Sequence, residues 1–361
     1  MIALIFSIII IIGIASQFYL KYAPVKSFTS MMSALLGFIV AFSYYETLAG
    51  IFINKGYIPQ WAQSIAFMVL FLVTSVALYS LADLIVGSNI NFNPLTKTIT
   101  AVVCGLVTGV FISGAVIIGF TLAPLGRSNP YARFGEPVNL NNPKSAAIPA
   151  DSIITGLYSL VSKGSLSSKT KFDVVHAEYL DQLHLNRYNA KDPGIATVAG
   201  KNAAFVNKYG VTKVDRDDGS ELTVVELNIK NNKIEDGGAM DSENNVSMAK
   251  CQVRLICSKD ASGQLSGDNV EVLYPVDYHL EKNKDKKESS LTTEIVFGSE
   301  DFENKAATIP LAFEVSGNLT PRLLEFKANV LIELPKAVTE EEKKAALEEE
   351  KRKKEANADS E

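Results

Sequence analysis

Thr98–Phe120 reads "TITAVVCGLVTGVFISGAVIIGF", an uncharged run in which Ala101, Gly105, Gly109 and Ser113 recur at every fourth position. Glycine inside a water-exposed helix costs roughly 1 kcal/mol relative to alanine. A helix that keeps several of them on one face has a use for close backbone approach. In lipid, where no hydrophobic force draws helices together, small residues let backbones touch and dispersion contacts take over. The stretch therefore reads as a membrane-crossing helix whose small-residue stripe lies at a helix–helix contact.

Three more runs have the same character. A bilayer core of about 30 Å calls for about 20 apolar helical residues, and Ile2–Leu20, Thr29–Ile53, Ala62–Val86 and Thr98–Leu125 all satisfy this. The breaks "KYAPVK", "NKGYIPQ" and "GSNINFNP" carry turn chemistry. Thr29, Ser33, Gly37 and Ala41 form a second stripe at spacing four, which predicts a second close contact. The first run lacks the basic residue that precedes a secretory signal core, its lysines (Lys21, Lys26) following instead, so a span is favoured over a cleaved leader.

Charge divides the 361-residue chain in two. Residues 1–126 carry only Lys21, Lys26, Lys55 and Lys97 against Glu46 and Asp83; the remainder holds 31 Lys and Arg against 38 Asp and Glu. The expected architecture is an all-α four-helix membrane bundle followed by a soluble α+β part dominated by an antiparallel β-sandwich. The lipid bilayer is the expected partner of the first part. No basic surplus points to nucleic acid.

Orientation follows from basic residues, which favour the cytoplasmic side. Lys21 and Lys26 after the first helix put that turn inside and both termini outside, although Lys55, Arg127 and Arg133 balance Lys21, Lys26 and Lys97 across the four helices. Glu46 and Asp83 are the acidic groups nearest the apolar runs. Both sit toward helix ends beside Tyr44, Tyr45 and Tyr79, which suits interfacial anchoring; ion handling is the alternative.

The segments "LLGFIVAFSYYETLAGIF", "SIAFMVLFLVTSVALYSLADLI" and "LTKTITAVVCGLVTGVFISGAVI" resemble the second, third and fourth helices of the colicin V production protein family. The resemblance covers roughly residues 1–125. It departs after the first helix, where "QFYLKYAPVK" has the bases of the family turn without its glycines. The resemblance implies an integral bacterial inner-membrane protein, some of whose relatives carry an extracytoplasmic domain after the fourth helix. It implies no catalytic residues.

Beyond the spans, "GRSNPYARFGEPVNLNNPKS" reads as a linker (126–149), followed by a short helical segment over 150–220. "PADSIITGLYSLVSKGS" predicts a helix capped by Asp151 or Ser152, with Ile153, Ile154, Leu157, Leu160 and Val161 on one face. "FDVVHAEYLDQLHLNRY" predicts a second, amphipathic one with Val175, Tyr179, Leu183 and Asn186 inward and a solvated Asp181–Arg187 face. From Glu221 the period becomes two. Thr223, Val225, Leu227 and Ile229 alternate with Val224, Glu226, Asn228 and Lys230, and Ala249, Cys251, Val253, Leu255 and Cys257 with Lys250, Gln252, Arg254 and Ile256; Ile309 to Val315 and Leu324 to Ile332 keep the same period. With "NVEVLYPVDY" and "LTTEIVFG" these predict six or more strands over 221–335. The strands of "VELNIKNN", "RLICSKDASGQ" and "PLAFEVSGNLTPRLLEF" resemble immunoglobulin-like, telokin-like envelope modules, which implies binding or spacing. Residues 336–361 read as a charged helical tail with Glu340–Lys344, Glu348–Arg352, Glu349–Lys353 and Glu350–Lys354 pairs.

Signatures of chemistry are sparse. Cys104, Cys251 and Cys257 are too few for a disulfide framework, and the last two, on one strand, are spaced about 20 Å apart, too far to bridge. His176, His184 and His279 show no metal-ligand spacing, and no His-Glu-x-x-His, Gly-x-Ser-x-Gly or phosphate loop occurs. No catalytic, cofactor or metal residue is expected. The expected function is non-enzymatic: anchoring, or interaction with a protein partner, including self-association through the small-residue stripes. The alternatives are a small channel using Glu46, Asp83, Thr74 and Ser75, and a membrane-tethered hydrolase.

Overall fold

The computed structural model describes residues 2–21, 23–85, 92–163, 171–187, 197–215, 221–232, 246–260, 262–278, 290–302 and 305–358. His279 lies outside them. The chain forms two compact units, Met1–Val198 and Ala199–Glu361.

The first unit opens with α1 (Ile2–Lys21), α2 (Pro24–Asn54), α3 (Pro59–Ile85) and α4 (Pro94–Leu122). All four are long and apolar enough to cross a membrane. Proline stands in the first turn of α2 and α4, where its missing N–H costs nothing, and Asn93 caps α4 by accepting from the Leu95 N–H at 3.0 Å. The interior is aromatic and small: Phe38, Phe42, Phe67, Phe71 and Phe111 are buried with Ala34, Ala41, Ala49, Ala66, Ala101 and Ala115. Outward-facing Ile9, Leu20, Leu72, Val73, Val76 and Leu84 are each more than half exposed. A water-soluble bundle buries such groups; a lipid-facing one displays them.

Residues 126–198 belong to this unit, and several readings of that stretch need correction. The segment read as a linker is irregular but packed, with Tyr131, Phe134 and Ala146 buried. α5 (Ala150–Lys163) starts one residue before Asp151, whose carboxylate serves Tyr131 rather than an N-cap alone. The second predicted helix is two: α6 (Phe172–Val175) and α7 (Tyr179–Asn186), broken at Glu178, which takes left-handed backbone (φ 57°). The Asp181–Arg187 face is not solvated, because Asp181 pairs with Arg133 and Arg187 is buried.

The second unit is rich in strands. One sheet has the order β11–β1–β2–β8–β6, from β1 (Ala204–Asp215), β2 (Glu221–Lys230), β6 (Asp277–Tyr278), β8 (Ala306–Phe313) and β11 (Val338–Thr339). A second runs β10–β9–β4–β5, from β4 (Val253–Ser258), β5 (Val270–Leu273), β9 (Thr320–Phe326) and β10 (Val330–Glu333); β3 (Val246–Ala249) pairs β7 (Glu294–Phe297). All described pairings are antiparallel except β1 with β11, which is parallel. Strand β1 occupies 204–215, inside the span read as helical.

Alternation holds where one face is buried: Val225, Leu227 and Ile229 are fully inside, as are Ile309, Leu311 and Phe313. All three sheets contribute to one apolar cluster. Ala249–Cys257 is not one strand. β3 ends at Ala249, a 3-10 turn takes Lys250–Gln252, and β4 follows, buried on both faces. Its second face carries Arg254 and Ser258 beside Ile256 and is dry: Arg254 pairs with Glu325 at 2.5 Å, both about 2% exposed. Nearby Lys327 donates to the Ser247 carbonyl at 2.7 Å and Lys250 to that of Val276 at 2.9 Å. Periodicity misses this because it scores such residues as solvent-facing. Cys104, Cys251 and Cys257 are buried and in no disulfide, and burial pushes the last two thiols up to about 12.

The tail forms α8 (Glu340–Ala358), opened by a capping box in which the Glu342 carboxylate accepts from the Thr339 N–H (2.9 Å) and Thr339 Oγ1 from the Glu342 N–H (3.2 Å). Lys343 ties its first turn to Glu226 of β2 at 2.5 Å. The Glu349–Lys353 pair forms, also at 2.5 Å.

Candidate functional site

The polar groups of the first unit gather where α5, α6 and α7 meet α2 and α4. Helix α5 turns Asp151, Ile154, Tyr158 and Ser162 inward, one residue per turn. The Tyr158 ring stacks on Phe42 of α2 at 4.9 Å, and its hydroxyl lies 3.0 Å from Ser43 Oγ. Ser162 Oγ accepts from the Phe172 N–H, starting α6. Phe172 then fills the space between Tyr158, His176 and Tyr179, at 4.8–5.0 Å from each.

Within this aromatic wall sits an imidazole–carboxylate pair. His176 Nε2 is 2.9 Å from Glu46 Oε1, and its Nδ1 is 3.0 Å from Gln182 Oε1. Tyr45 donates to the same Glu46 oxygen at 2.9 Å, and its hydroxyl meets that of Tyr179 at 3.0 Å. Both imidazole nitrogens are held against oxygens, so the ring is a fixed strut between α2, α6 and α7. Glu46, the polar span residue predicted from sequence, therefore has a partner 130 positions away. Nothing local in the sequence signals that contact.

A second cluster closes over the end of α4. Tyr131 donates to Asp151 Oδ2 at 2.6 Å and lies tilted against the His184 ring at 4.8 Å, while Arg133 pairs with Asp181. Arg187, 2% exposed, reaches the carbonyls of Phe120 (3.4 Å), Leu125 (3.3 Å) and Asn129 (2.7 Å). A guanidinium set against the last turn of α4 complements the negative end of the helix. Burial brings its pKa down to about 10. Burial, reinforced by the charges of Arg187 and Arg133, holds His184 well below the usual imidazole range. Burial, with Asp151 alongside, raises the Tyr131 phenol.

The remaining predicted positions are spread through the bundle. Asp83 pairs with Lys26 at 2.6 Å near the opposite end of α2 from Glu46, so the two acids are not brought together. On α4, a Cβ at Gly105 would lie 2.8 Å from the Ala15 Cα, and one at Gly109 2.7 Å from the Ile11 Cα; Ser113 donates to Ser7 at 2.7 Å. That stripe meets α1. On α2, a Cβ at Gly37 would collide with Ser75 of α3, and Ala41 is fully buried; Ser33 and Thr29 bond back to their own helix, to Thr29 O (2.8 Å) and Lys26 O (3.1 Å). Gly114 and Gly119, outside either stripe, also mark close approaches, to Ala150 of α5 and Met68 of α3.

Among the described residues no group of three or more His, Cys, Asp or Glu could hold a metal ion. No family model matches the chain, and it has no match among curated proteins or solved structures.

Proposed function

We propose that the chain is a multi-pass protein of a bacterial inner membrane, of the colicin V production type, that holds a strand-rich module outside the cytoplasm for anchoring or protein interaction. One observation carries the reading. Four helices are each long and apolar enough to span a bilayer, and they precede a separate strand-rich unit. The strands of that unit share a single apolar cluster, which supports a sandwich of the immunoglobulin-like kind. The Glu46–His176 strut and the Arg187 clamp supply what such an anchor needs: rigid connection of the segment after α4 to the spans. Lys21 and Lys26 favour placing the α1–α2 turn inside, hence the module outside.

A channel would need polar groups along one path. Glu46 and Asp83 are instead paired near opposite ends of α2, each with a partner of its own. The test is a pair of fusions after Glu361. Alkaline phosphatase, active only outside the cytoplasm, should be active, and a green fluorescent protein fusion dark. The reverse result would overturn the proposed placement, and ion flux in reconstituted vesicles abolished by Glu46→Gln would favour the channel.

A further inference from the structure

Helix α5 has an apolar outer face at an unusual level. Ile153, Gly156, Leu160 and Lys163 are its exposed residues, at spacings of three, four and three, so they share one face. Ile153 is 46% and Leu160 67% exposed. The opposite face is committed to the bundle. A Cβ on Gly114 would touch the Ala150 carbonyl and Ile154, and Tyr158 stacks on Phe42.

Those contacts fix the depth of α5. At 1.5 Å per residue, Gly114 lies about 12 Å before the end of α4 and Phe42 about 18 Å before the end of α2. Both positions fall inside uncharged stretches: α4 has no charged residue between Lys97 and Arg127, and α2 none between Lys26 and Glu46. Counted from Lys97, Gly114 stands about 26 Å along α4, just inside the far edge of a core of about 30 Å and so next to the boundary between acyl chains and headgroups. A helix there with an apolar outer face and a terminal lysine has the make-up of one lying in the membrane interface, its lysine reaching up to the headgroups.

We propose that α5 is such an interfacial helix, with Ile153 and Leu160 set against the acyl chains of the leaflet that holds the C-terminal ends of α2 and α4. This rests on the spanning reading of α1–α4 and adds to it a fifth, in-plane helix. The occupant of the exposed face is lipid because the helix is seated on the apolar part of two spans, not on their polar ends. Membrane contact then continues past α4 into the segment stapled by Tyr158, His176 and Arg187.

The experiment uses the full chain in phosphatidylcholine vesicles with Trp61, the single tryptophan, replaced by Phe. One tryptophan is then returned, as Leu160→Trp, as Ile153→Trp, or as Val73→Trp, a 62% exposed position midway along α3. Lipid brominated on its acyl chains should quench Leu160→Trp and Ile153→Trp to within about twofold of Val73→Trp, with aqueous iodide having little effect. Quenching of Val73→Trp without quenching of the α5 positions overturns the proposal and leaves the spans standing. In that case iodide sensitivity means that α5 faces water, and shielding from both quenchers means that protein covers it. Loss of quenching at all three positions overturns the spanning reading itself.

Discussion

The two units solve the same problem with opposite materials. In the strand-rich unit, large aliphatic side chains such as Leu227, Ile309 and Leu324 are fully buried and water supplies the driving force. In the helical unit, comparable side chains such as Leu72, Val76 and Leu84 point outward, while glycine, alanine and serine line the helix contacts. Polar burial differs too. The strand unit dries an ion pair inside its sheets, whereas the helical unit gathers its polar groups where α5–α7 meet the spans. Residue size and polarity mean different things on either side of Val198, the contrast expected between a lipid-facing unit and a water-facing one.

That contrast is breakable. The largest effect is expected from Arg254→Met, which strands the buried Glu325 carboxylate; full-chain denaturation in detergent should register a loss of about 3–5 kcal/mol in the strand unit. The double variant Arg254→Met/Glu325→Leu should recover most of it, and failure to recover would mean that the pair does more than satisfy itself. Next, Leu227→Ala, which empties part of the shared core, should cost about 2–5 kcal/mol. Leu72→Ala, a comparable deletion on the outer face of α3, should cost almost nothing in detergent. Equal costs would erase the distinction between the units.

Small-residue packing gives a third comparison. Gly109→Val meets the α1 backbone and should destabilise the bundle by roughly 1–3 kcal/mol, lowering its thermal midpoint in detergent. At Gly50, where nothing lies within 4 Å, Gly50→Ala should be neutral or stabilising by up to about 1 kcal/mol.

The smallest effect concerns pH. Folded His184 sits below the ordinary imidazole range because of burial and the neighbouring Arg187 and Arg133, so the unfolded chain takes a proton more readily than the folded one. Its contribution is complete above about pH 6.5 and is lost as pH falls below that, by at most ~1.4 kcal/mol per pH unit. Urea titrations between neutral and mildly acid pH should show a shallower decline for His184→Gln than for the parent. An unchanged slope would remove His184 from the account.

Much of this division was legible in the chain itself. Run length and charge are enough to mark α1–α4, since a helix satisfies its own backbone across so long an apolar run. The period of two marks β2 and β8, in which Val225, Leu227 and Ile229, and Ile309, Leu311 and Phe313, point into the core. What escaped was non-local. Glu46 and His176 are far apart in sequence, and Arg187 looks like any surface arginine until the carbonyls at the end of α4 come to meet it. Strand β4 carries Arg254 and Ser258 on the face opposite Leu255 yet is buried throughout, and Arg254 is accommodated there by Glu325 on β9. The break at Glu178 rests on one left-handed residue that is not glycine. Of the predicted site residues, the small ones carried their own physical signature, whereas Glu46 carried only half of one.

The most direct measurement is labelling of single cysteines by a membrane-impermeant maleimide in sealed vesicles, in a background where the three buried native cysteines are replaced. Four spans put Lys55→Cys, in the α2–α3 turn, and Lys336→Cys, in the strand unit, on one side, with Lys21→Cys on the other. The account predicts that the first two react together from one face and the third only from the opposite face. Reaction of all three from a single face would contradict it.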